Sequence, residues 1–218
     1  FYNKVGYDSH HRGLFADVLY DHSVQLYKLR KGQARIIKNL TDTPFHILSV
    51  EEDEYGSHVD MEANVTVSTS RGMRSLTIQK YYTFFHEERK IRLNYTVENN
   101  SLEPIESIWG VELNVGRNSA LRPDMFFRIH PQSFTCSFLQ AGHRKKCVGA
   151  EWVFPDGTFQ VSISEESEAF FYPVEVPCAQ PTYIEMGFQG HCLMYAIPLD
   201  LWAGEQKSWS LECAWERK

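Results

Sequence analysis

Residues 63–85, ANVTVSTSRGMRSLTIQKYYTFF, decide the class of fold. In ANVTVSTS and in SLTIQKYYTFF, β-branched and aromatic residues alternate with polar ones, a period of two that is typical of strands with one buried face. Arg71-Gly72 lies between the two runs, and glycine readily takes the positive φ that a tight turn requires. The stretch therefore predicts a β-hairpin.

The same alternation continues through most of the chain. We expect further strands in ARIIKNL, FHILSVEEDEYG, KIRLNYTVEN, IESIWGVELNVG, AEWVF, TFQVSIS, YIEMGFQ, HCLMYAIPL and SWSLECAWE. About ten or more short strands, with helix expected only as a short piece within residues 14–31, are typical of an all-β protein. We predict a large, twisted antiparallel β-sandwich.

The size of the chain bounds its organisation. A chain of 218 residues with 43% hydrophobic residues can bury one substantial core, and it contains no run rich in Gly, Ser and Pro that would mark a linker. We therefore expect residues 1–218 to form a single domain. Phe1 is not an initiator methionine and no signal peptide follows it, so we expect the domain to be the C-terminal part of a larger chain.

Charge and hydropathy disfavour two classes of partner. A formal net charge of −6 would be repelled by a phosphate backbone, and the one tight basic run, residues 143–146, is interpreted as a solvated loop. No apolar run approaches the roughly 18 to 20 residues of a membrane span. We expect a soluble protein that binds neither nucleic acid nor membrane.

The cysteines indicate a reducing compartment. They are odd in number, widely spaced and without a C-x-x-C pair, which argues against a disulfide framework and a zinc ribbon: Cys136, Cys147, Cys178, Cys192 and Cys213. We expect reduced thiols and a cytoplasmic protein. The phosphate-binding glycine motifs and the G-x-S-x-G nucleophile motif are absent, so we predict no cofactor.

The N-terminal segment has the composition of a metal site, but we do not predict one there. Six nitrogen and oxygen ligands lie within fifteen residues, but their spacing fits no standard site: Asp8, His10, His11, Asp17, Asp21 and His22. We interpret them as a polar surface segment.

Candidate ligand-facing residues come from the strands and one turn. Glu112 and Glu185 alternate with apolar neighbours, so each could face a groove, an interdomain contact or solvent. Trp202 lies in the turn sequence PLDLWAGEQ and is expected to be exposed, where a ring can stack on a sugar. The other tryptophans are expected in the core: Trp109, Trp152, Trp209 and Trp215.

Three stretches carry a family resemblance. FFYPVEVPCAQPTYIEMGFQGHCLMYAIPLDLWAGEQKSWSLECAWE, YDSHHRGLFADVLYD and WGVELNVGRN resemble segments of the C-terminal domain of glycoside hydrolase family 57 4-α-glucanotransferases and amylase-like proteins. This chain departs from the family pattern at Asp17-Val18, where the family has Asp-His, and at residues 181–183, where it has Ser-Glu before Gly-Gly.

The resemblance implies a galactose mutarotase-like sandwich whose parent chain carries the catalytic carboxylates on a separate barrel. It implies a non-catalytic accessory domain that packs on that catalytic domain and contacts an α-glucan or oligosaccharide. No residue of this chain is then catalytic. The residues that would contact carbohydrate are Trp202, Glu112, Glu185, Gln189 and Tyr172.

Two alternatives remain open on the sequence. One is a free-standing mutarotase-like or epimerase-like enzyme, which needs a carboxylate base and a histidine acid at one site. Glu112 or Glu185 would be the base, and the histidine would be one of His130, His143 and His191. The other alternative is a carbohydrate-binding module with no enzyme attached.

Overall fold

The structure, a computed structural model, describes residues 12–116, 121–179 and 183–218, which form thirteen strands and one short helix. The elements are β1 (Leu14–Tyr20), α1 (Leu26–Arg30), β2 (Ile36–Asn39), β3 (His46–Glu52), β4 (Gly56–Thr69), β5 (Gly72–Phe85), β6 (Lys90–Asn99), β7 (Ile105–Gly116), β8 (Phe126–His130), β9 (Phe134–Cys136), β10 (Gly142–Phe154), β11 (Gly157–Ala179), β12 (Ile184–Leu201) and β13 (Gln206–Arg217).

The predicted hairpin is confirmed. β4 and β5 pair in register from Gly56↔Phe85 to Thr69↔Gly72, and Gly72 has φ 109°, a value that side chains other than glycine rarely adopt. β10 and β11 form a second hairpin, which pairs up to Phe154↔Gly157 around Pro155-Asp156.

The strands build two layers that share β11. The first half of this long strand, residues 157–163, pairs with β13, and its second half, residues 168–179, pairs with β12. Layer A is therefore β2-β1-β7-β12-β11, and layer B is β3-β4-β5-β6-β13-β11. β10 pairs with both halves of β11 and so belongs to both layers, and β8 and β9 continue layer B beyond it. All pairings among the described strands are antiparallel.

The main core lies between the layers. Trp109 of layer A packs against Tyr95 and Trp209 of layer B, with ring centroids 6.1 and 5.6 Å apart. Alternation places the apolar side chains of each strand on this inner face, and Leu93, Tyr95 and Val97 of β6 are accordingly all buried. The predicted antiparallel sandwich is confirmed.

A second, smaller core covers the outer face of layer A. Tyr20, Phe170, Tyr172 and Met194 pack there with Leu29 of helix α1. Four strands are consequently buried on both faces over much of their length: β1, β7, β11 and β12. A polar side chain on these strands must find a hydrogen-bond partner within the protein.

The short helix expected within residues 14–31 is confirmed as α1, Leu26–Arg30. β1 was not among the expected strands, because a strand buried on both faces shows no clean alternation. One local prediction is wrong. The basic run 143–146 is not a loop, since it lies in β10, where Arg144 stacks over the Phe134 ring at 3.8 Å.

The tryptophans and cysteines lie in the environments expected from the sequence. Trp109, Trp152 and Trp209 are buried, and Trp215 is partly buried against the core, as predicted. No disulfide joins the five cysteines, four of which are buried. None of the helices among residues 12–116, 121–179 and 183–218 has the length and hydropathy of a membrane span.

Candidate functional site

Trp202 lies on the surface, in the turn between β12 and β13, with its side chain 66% exposed. The backbone beneath it is fixed: Trp202 N–H donates to Glu205 Oε2 at 2.8 Å, and Asn99 Nδ2 donates to the carbonyl oxygens of Leu201 and Trp202 at 3.0 and 3.3 Å. The predicted exposure is confirmed. An exposed ring on a fixed turn can stack on a sugar at a small cost in conformational entropy.

Glu112 and Tyr172 come together on the outer face of layer A, in what we call the Arg12 cluster: Arg12, Tyr20, Glu112, Tyr172 and Cys192. The Arg12 Nη1 atom lies 3.8 Å from Glu112 Oε2, and its guanidinium lies 5.6 Å from the Tyr172 ring centroid. The Tyr20 hydroxyl donates to Glu112 Oε1 at 3.1 Å. The Glu112 carboxylate is only 1% exposed.

The local sequence explains how the cluster forms. Tyr20 reaches Glu112 because it lies over Gly110, where an added Cβ would meet the tyrosine ring at 2.6 Å. Arg12 is held in turn by Asn114, whose Oδ1 accepts from its Nη1 at 3.3 Å and whose Nδ2 donates to the Gly13 carbonyl at 3.0 Å. The cluster thus fastens the beginning of the described chain to β7.

The electrostatics of the cluster keep its hydroxyls and thiol protonated. Burial, followed by the Glu112 charge, holds the pKa of Tyr20 well above its usual value. Burial is also the main cause that raises the pKa of Tyr172 and of Cys192. These three groups therefore stay neutral and can donate, while Arg12 supplies the positive charge beside the buried carboxylate.

Glu185 and Gln189 lie elsewhere, both exposed, on the first part of β12. Glu112 pairs with Met194, which is nine residues along β12 from Glu185, or about 30 Å at 3.3 Å per residue. Trp202 follows the opposite end of β12. The five predicted carbohydrate-contacting residues therefore fall into three places, and only Glu112 and Tyr172 meet.

The structure also reveals a buried ionic group between the layers. Asp17 Oδ2 lies 2.5 Å from Lys80 Nζ, and Asp17 Oδ1 accepts from Trp109 Nε1 at 3.0 Å and from the Tyr95 hydroxyl at 3.1 Å. The interpretation of Asp17 as a surface residue is wrong, because these donors compensate its burial.

Sequence reasoning missed Arg12 and Lys80. The only signal was that Arg12 lies in the stretch that carries the family resemblance. Lys80 occupies an inward position of a strand, where its charge alone could have indicated a buried partner.

The N-terminal segment contains no cluster of metal ligands among its described residues. Asp21 pairs with Arg35 at 3.0 Å and with the neighbouring His22 at 2.7 Å, whereas Asp17 points into the core. Asp8, His10 and His11, the other members of the predicted polar segment, lie outside the described residues.

The three candidate histidines occupy separate environments. His191 is on the inner face, where Trp152 Nε1 donates to its Nδ1 at 3.0 Å and burial lowers its pKa from 6.5 to about 3. His143 is on the outer face of layer A, 3.0 Å from Glu168 Oε2. His130 lies on layer B, 3.8 Å from Glu151.

The fold is galactose mutarotase-like. A galactose mutarotase-like protein from Clostridium acetobutylicum matches 94% of this chain and 79% of its own, with TM-score 0.60 and 10% identity. A galactose mutarotase related enzyme from Lactobacillus acidophilus matches 92% of this chain and 80% of its own, with TM-score 0.54 and 9% identity. At this identity the likeness shows the fold alone.

A third structure matches almost the whole chain. It is the 4-α-glucanotransferase from Thermococcus litoralis, with TM-score 0.70, 13% identity and 98% of this chain covered. The match covers 29% of the glucanotransferase chain, so this chain spans less than a third of that protein's length.

The particular family follows from the sequence. The profile of the family described as alpha-amylase/4-alpha-glucanotransferase, C-terminal, matches residues 1–201. The chain belongs to this family. The expected family resemblance is confirmed at this level, and no curated protein sequence matches the chain.

Proposed function

We propose that this chain is the single, non-catalytic accessory domain at the C-terminal end of an α-glucan-acting enzyme of glycoside hydrolase family 57, a 4-α-glucanotransferase or an amylase. The observation that carries the proposal is the match of residues 1–201 to a family of C-terminal domains. The matched part is 29% of the glucanotransferase that shares this fold. The rest of that chain is long enough to contain a separate catalytic domain.

The positions of the acidic candidates support a non-catalytic role. Glycoside cleavage requires two carboxyl groups about 5 to 10 Å apart on either side of the scissile bond. Glu112 and Glu185 are separated by about 30 Å along the sheet. Glu112 is also enclosed by Tyr20 and Arg12, so a glycosidic oxygen has no room to approach it.

The epimerase alternative loses support for geometric reasons. His191 points to the inner face, against Phe127 and Trp152, and Glu112 points to the outer face of the same layer. Glu112 and His143 share a face but lie three strand spacings apart, through Met194 and Phe170, or about 14 Å. A base and an acid acting on one sugar carbon must both reach it by hydrogen-bond distances.

Glucan contact is assigned to Trp202 in this proposal. One stacked ring and a few hydrogen bonds exchanged with water supply only a few kcal/mol, so binding to the isolated chain is in the millimolar range. Five cysteines without a disulfide support a cytoplasmic location for the parent. The net charge of −6 supports a partner other than nucleic acid.

The test is a direct assay of chemistry. The purified 218-residue chain and the intact natural protein that contains it are each incubated with amylose and maltooligosaccharides, and chain lengths are followed by chromatography. We expect new chain lengths from the intact protein only. Turnover by the 218-residue chain that disappears in Glu112→Gln or Glu185→Gln would reverse the proposal.

A further inference from the structure

A cleft opens between the two layers beside β1, and we call it the β1–β5 cleft. It has a volume of about 440 Å³ and lies between β1, the chain that joins β2 to β3, and the strands β4 and β5. Its walls are apolar side chains: Phe15, Leu40, Phe45, Met61 and Tyr82. Polar side chains converge on the same space: Arg12, Asp17, Thr41, Thr43 and Lys80. Apolar walls with a few convergent polar groups, at a volume of this size, are typical of a small-molecule site.

Lys80 supplies a buried hydrogen-bond donor at a wall of the cleft. Its side chain is 8% exposed, and its Nζ lies 2.5 Å from Asp17 Oδ2 and 4.6 Å from the centroid of the Phe45 ring. An ammonium group has three N–H donors, and Asp17 is its one hydrogen-bond acceptor within the part of the chain that the structure describes. The ammonium therefore retains the capacity to donate to an acceptor in the cleft.

Tyr82 and Thr41 add an aromatic ring and hydroxyl groups. Phe15 meets the Tyr82 ring edge-to-face at 6.2 Å, and Phe84 stacks parallel to it at 6.0 Å, so the ring is fixed. Burial, followed by the Asp17 charge, raises the pKa of Tyr82, so its hydroxyl stays protonated and can donate. Thr41 Oγ1 donates to Asn39 Oδ1 at 2.6 Å, which leaves its lone pairs for a donor from a ligand.

The charges around the cleft are already paired. Lys80 is matched by Asp17, and the Arg12 Nη1 atom lies 3.8 Å from Glu112 Oε2. An anionic ligand would therefore bring an uncompensated charge into a partly buried space, at a large cost in desolvation. The cleft favours a neutral ligand with several hydroxyl groups and an apolar face, which is the chemistry of a sugar ring.

We infer that the β1–β5 cleft binds a single neutral hexose. Its volume lies at the lower end of the range for ligand pockets, which suits one sugar ring better than a chain. The ring stacks on Tyr82, accepts from Lys80 and exchanges hydrogen bonds with Thr41 and Thr43. The choice of glucose, the unit of an α-glucan, rests on the proposed function.

The cleft is distinct from the glucan contact assigned to Trp202. Asn99, which holds the Trp202 turn, pairs with Leu76 of β5. Leu76 precedes Tyr82 by six residues, or about 20 Å along the strand. The two sites therefore bind independently.

The experiment uses the intact natural protein with one cysteine introduced, as Thr43→Cys at the cleft or as Leu102→Cys for comparison. Leu102 is 94% exposed and lies between β6 and β7. Maleimide labelling of each site is followed by peptide mass spectrometry, which separates it from the native cysteines. Glucose at about ten times a millimolar Kd should slow labelling of Thr43→Cys by about tenfold, because the site is then occupied for about nine-tenths of the time. The Leu102→Cys rate should not change.

Variants of Tyr82 and a charged sugar provide the controls. Tyr82→Leu removes the ring and should abolish most of the protection of Thr43→Cys by glucose. Tyr82→Phe keeps the ring and should retain part of this protection, which shows that a loss in Tyr82→Leu is not a loss of the fold. Glucose 6-phosphate should protect less than glucose, because the cations of the cleft already have carboxylate partners.

Three outcomes would overturn the inference. One is a Thr43→Cys labelling rate that glucose leaves unchanged, including a rate already far below that of Leu102→Cys, which would show that another part of the protein fills the cleft. Another is full protection in Tyr82→Leu, and the third is stronger protection by glucose 6-phosphate than by glucose. The chromatographic assay of glucan chain lengths tests the proposed function separately: without turnover by the intact protein the proposed function fails, while protection of Thr43→Cys by glucose would still establish the hexose site.

Discussion

Lys80 and Asp17 form an ion pair between the two layers of the sandwich, with Nζ and Oδ2 2.5 Å apart and side chains 8% and 1% exposed. Two further donors complete the carboxylate shell, the indole of Trp109 and the hydroxyl of Tyr95. Burial and the Asp17 charge hold the pKa of Tyr95 well above its usual value, so this hydroxyl remains a donor. β1, β5, β6 and β7 are thereby joined at one point.

Removal of one partner of this pair should destabilise the fold strongly. We expect Asp17→Ala to lower the free energy of unfolding by about 3 to 5 kcal/mol, because the Lys80 charge is left buried without compensation. Urea denaturation followed by circular dichroism measures the loss. The double variant Asp17→Leu/Lys80→Met should recover part of the stability, and a loss under about 1 kcal/mol in Asp17→Ala would contradict this account.

The hairpins and the exposure of Trp202 could be predicted from sequence because their signals are local: alternation, a turn glycine, a polar turn sequence. β1 could not, since burial on both faces removes the alternation that identifies a strand. The Asp17–Lys80 and Arg12–Glu112 pairs join strands far apart in sequence. Which strands lie together depends on how β11 crosses between the layers, and no local pattern specifies that crossing.

His191 should make stability depend on acid pH. Its native pKa is lowered to about 3, so between pH 6.5 and about 3 the unfolded chain binds a proton that the native state does not. Stability is therefore fully present above pH 6.5 and falls as pH decreases through this window, by on the order of 5 kcal/mol at its lower end. Unfolding free energies measured from pH 7 to 4 test this.

His191→Asn is the matched variant for the pH prediction. An amide oxygen can accept from Trp152 Nε1 in place of Nδ1, but it does not titrate. The variant should show a smaller decrease in stability from pH 7 to 4 than the wild type shows. A wild-type slope retained in His191→Asn would show that other groups cause the acid sensitivity.

The cysteines should differ sharply in reactivity. Burial raises the pKa of Cys136 and of Cys147 to about 11, so their thiolate fractions near neutral pH are very small. Cys178 is the one half-buried cysteine. With Ellman's reagent, the native chain should release one equivalent quickly, which is lost in Cys178→Ser, and the unfolded chain should release five. Fewer than five from protein prepared under non-oxidising conditions would indicate a disulfide.

Trp202→Ala should remove most of the weak glucan binding while the fold is retained. The indole of Trp202 is largely exposed to solvent. The turn is held by hydrogen bonds between its backbone and the side chains of Asn99 and Glu205, which do not involve the indole. Titration with maltoheptaose by calorimetry should give a millimolar Kd for the wild type, weakened by about tenfold in the variant, since a stacked ring is worth about 1 kcal/mol or somewhat more. Tyr27→Ala removes another exposed aromatic ring, from helix α1, and should leave binding unchanged. Submicromolar binding, or binding that survives Trp202→Ala, would assign the glucan contact to another part of the surface.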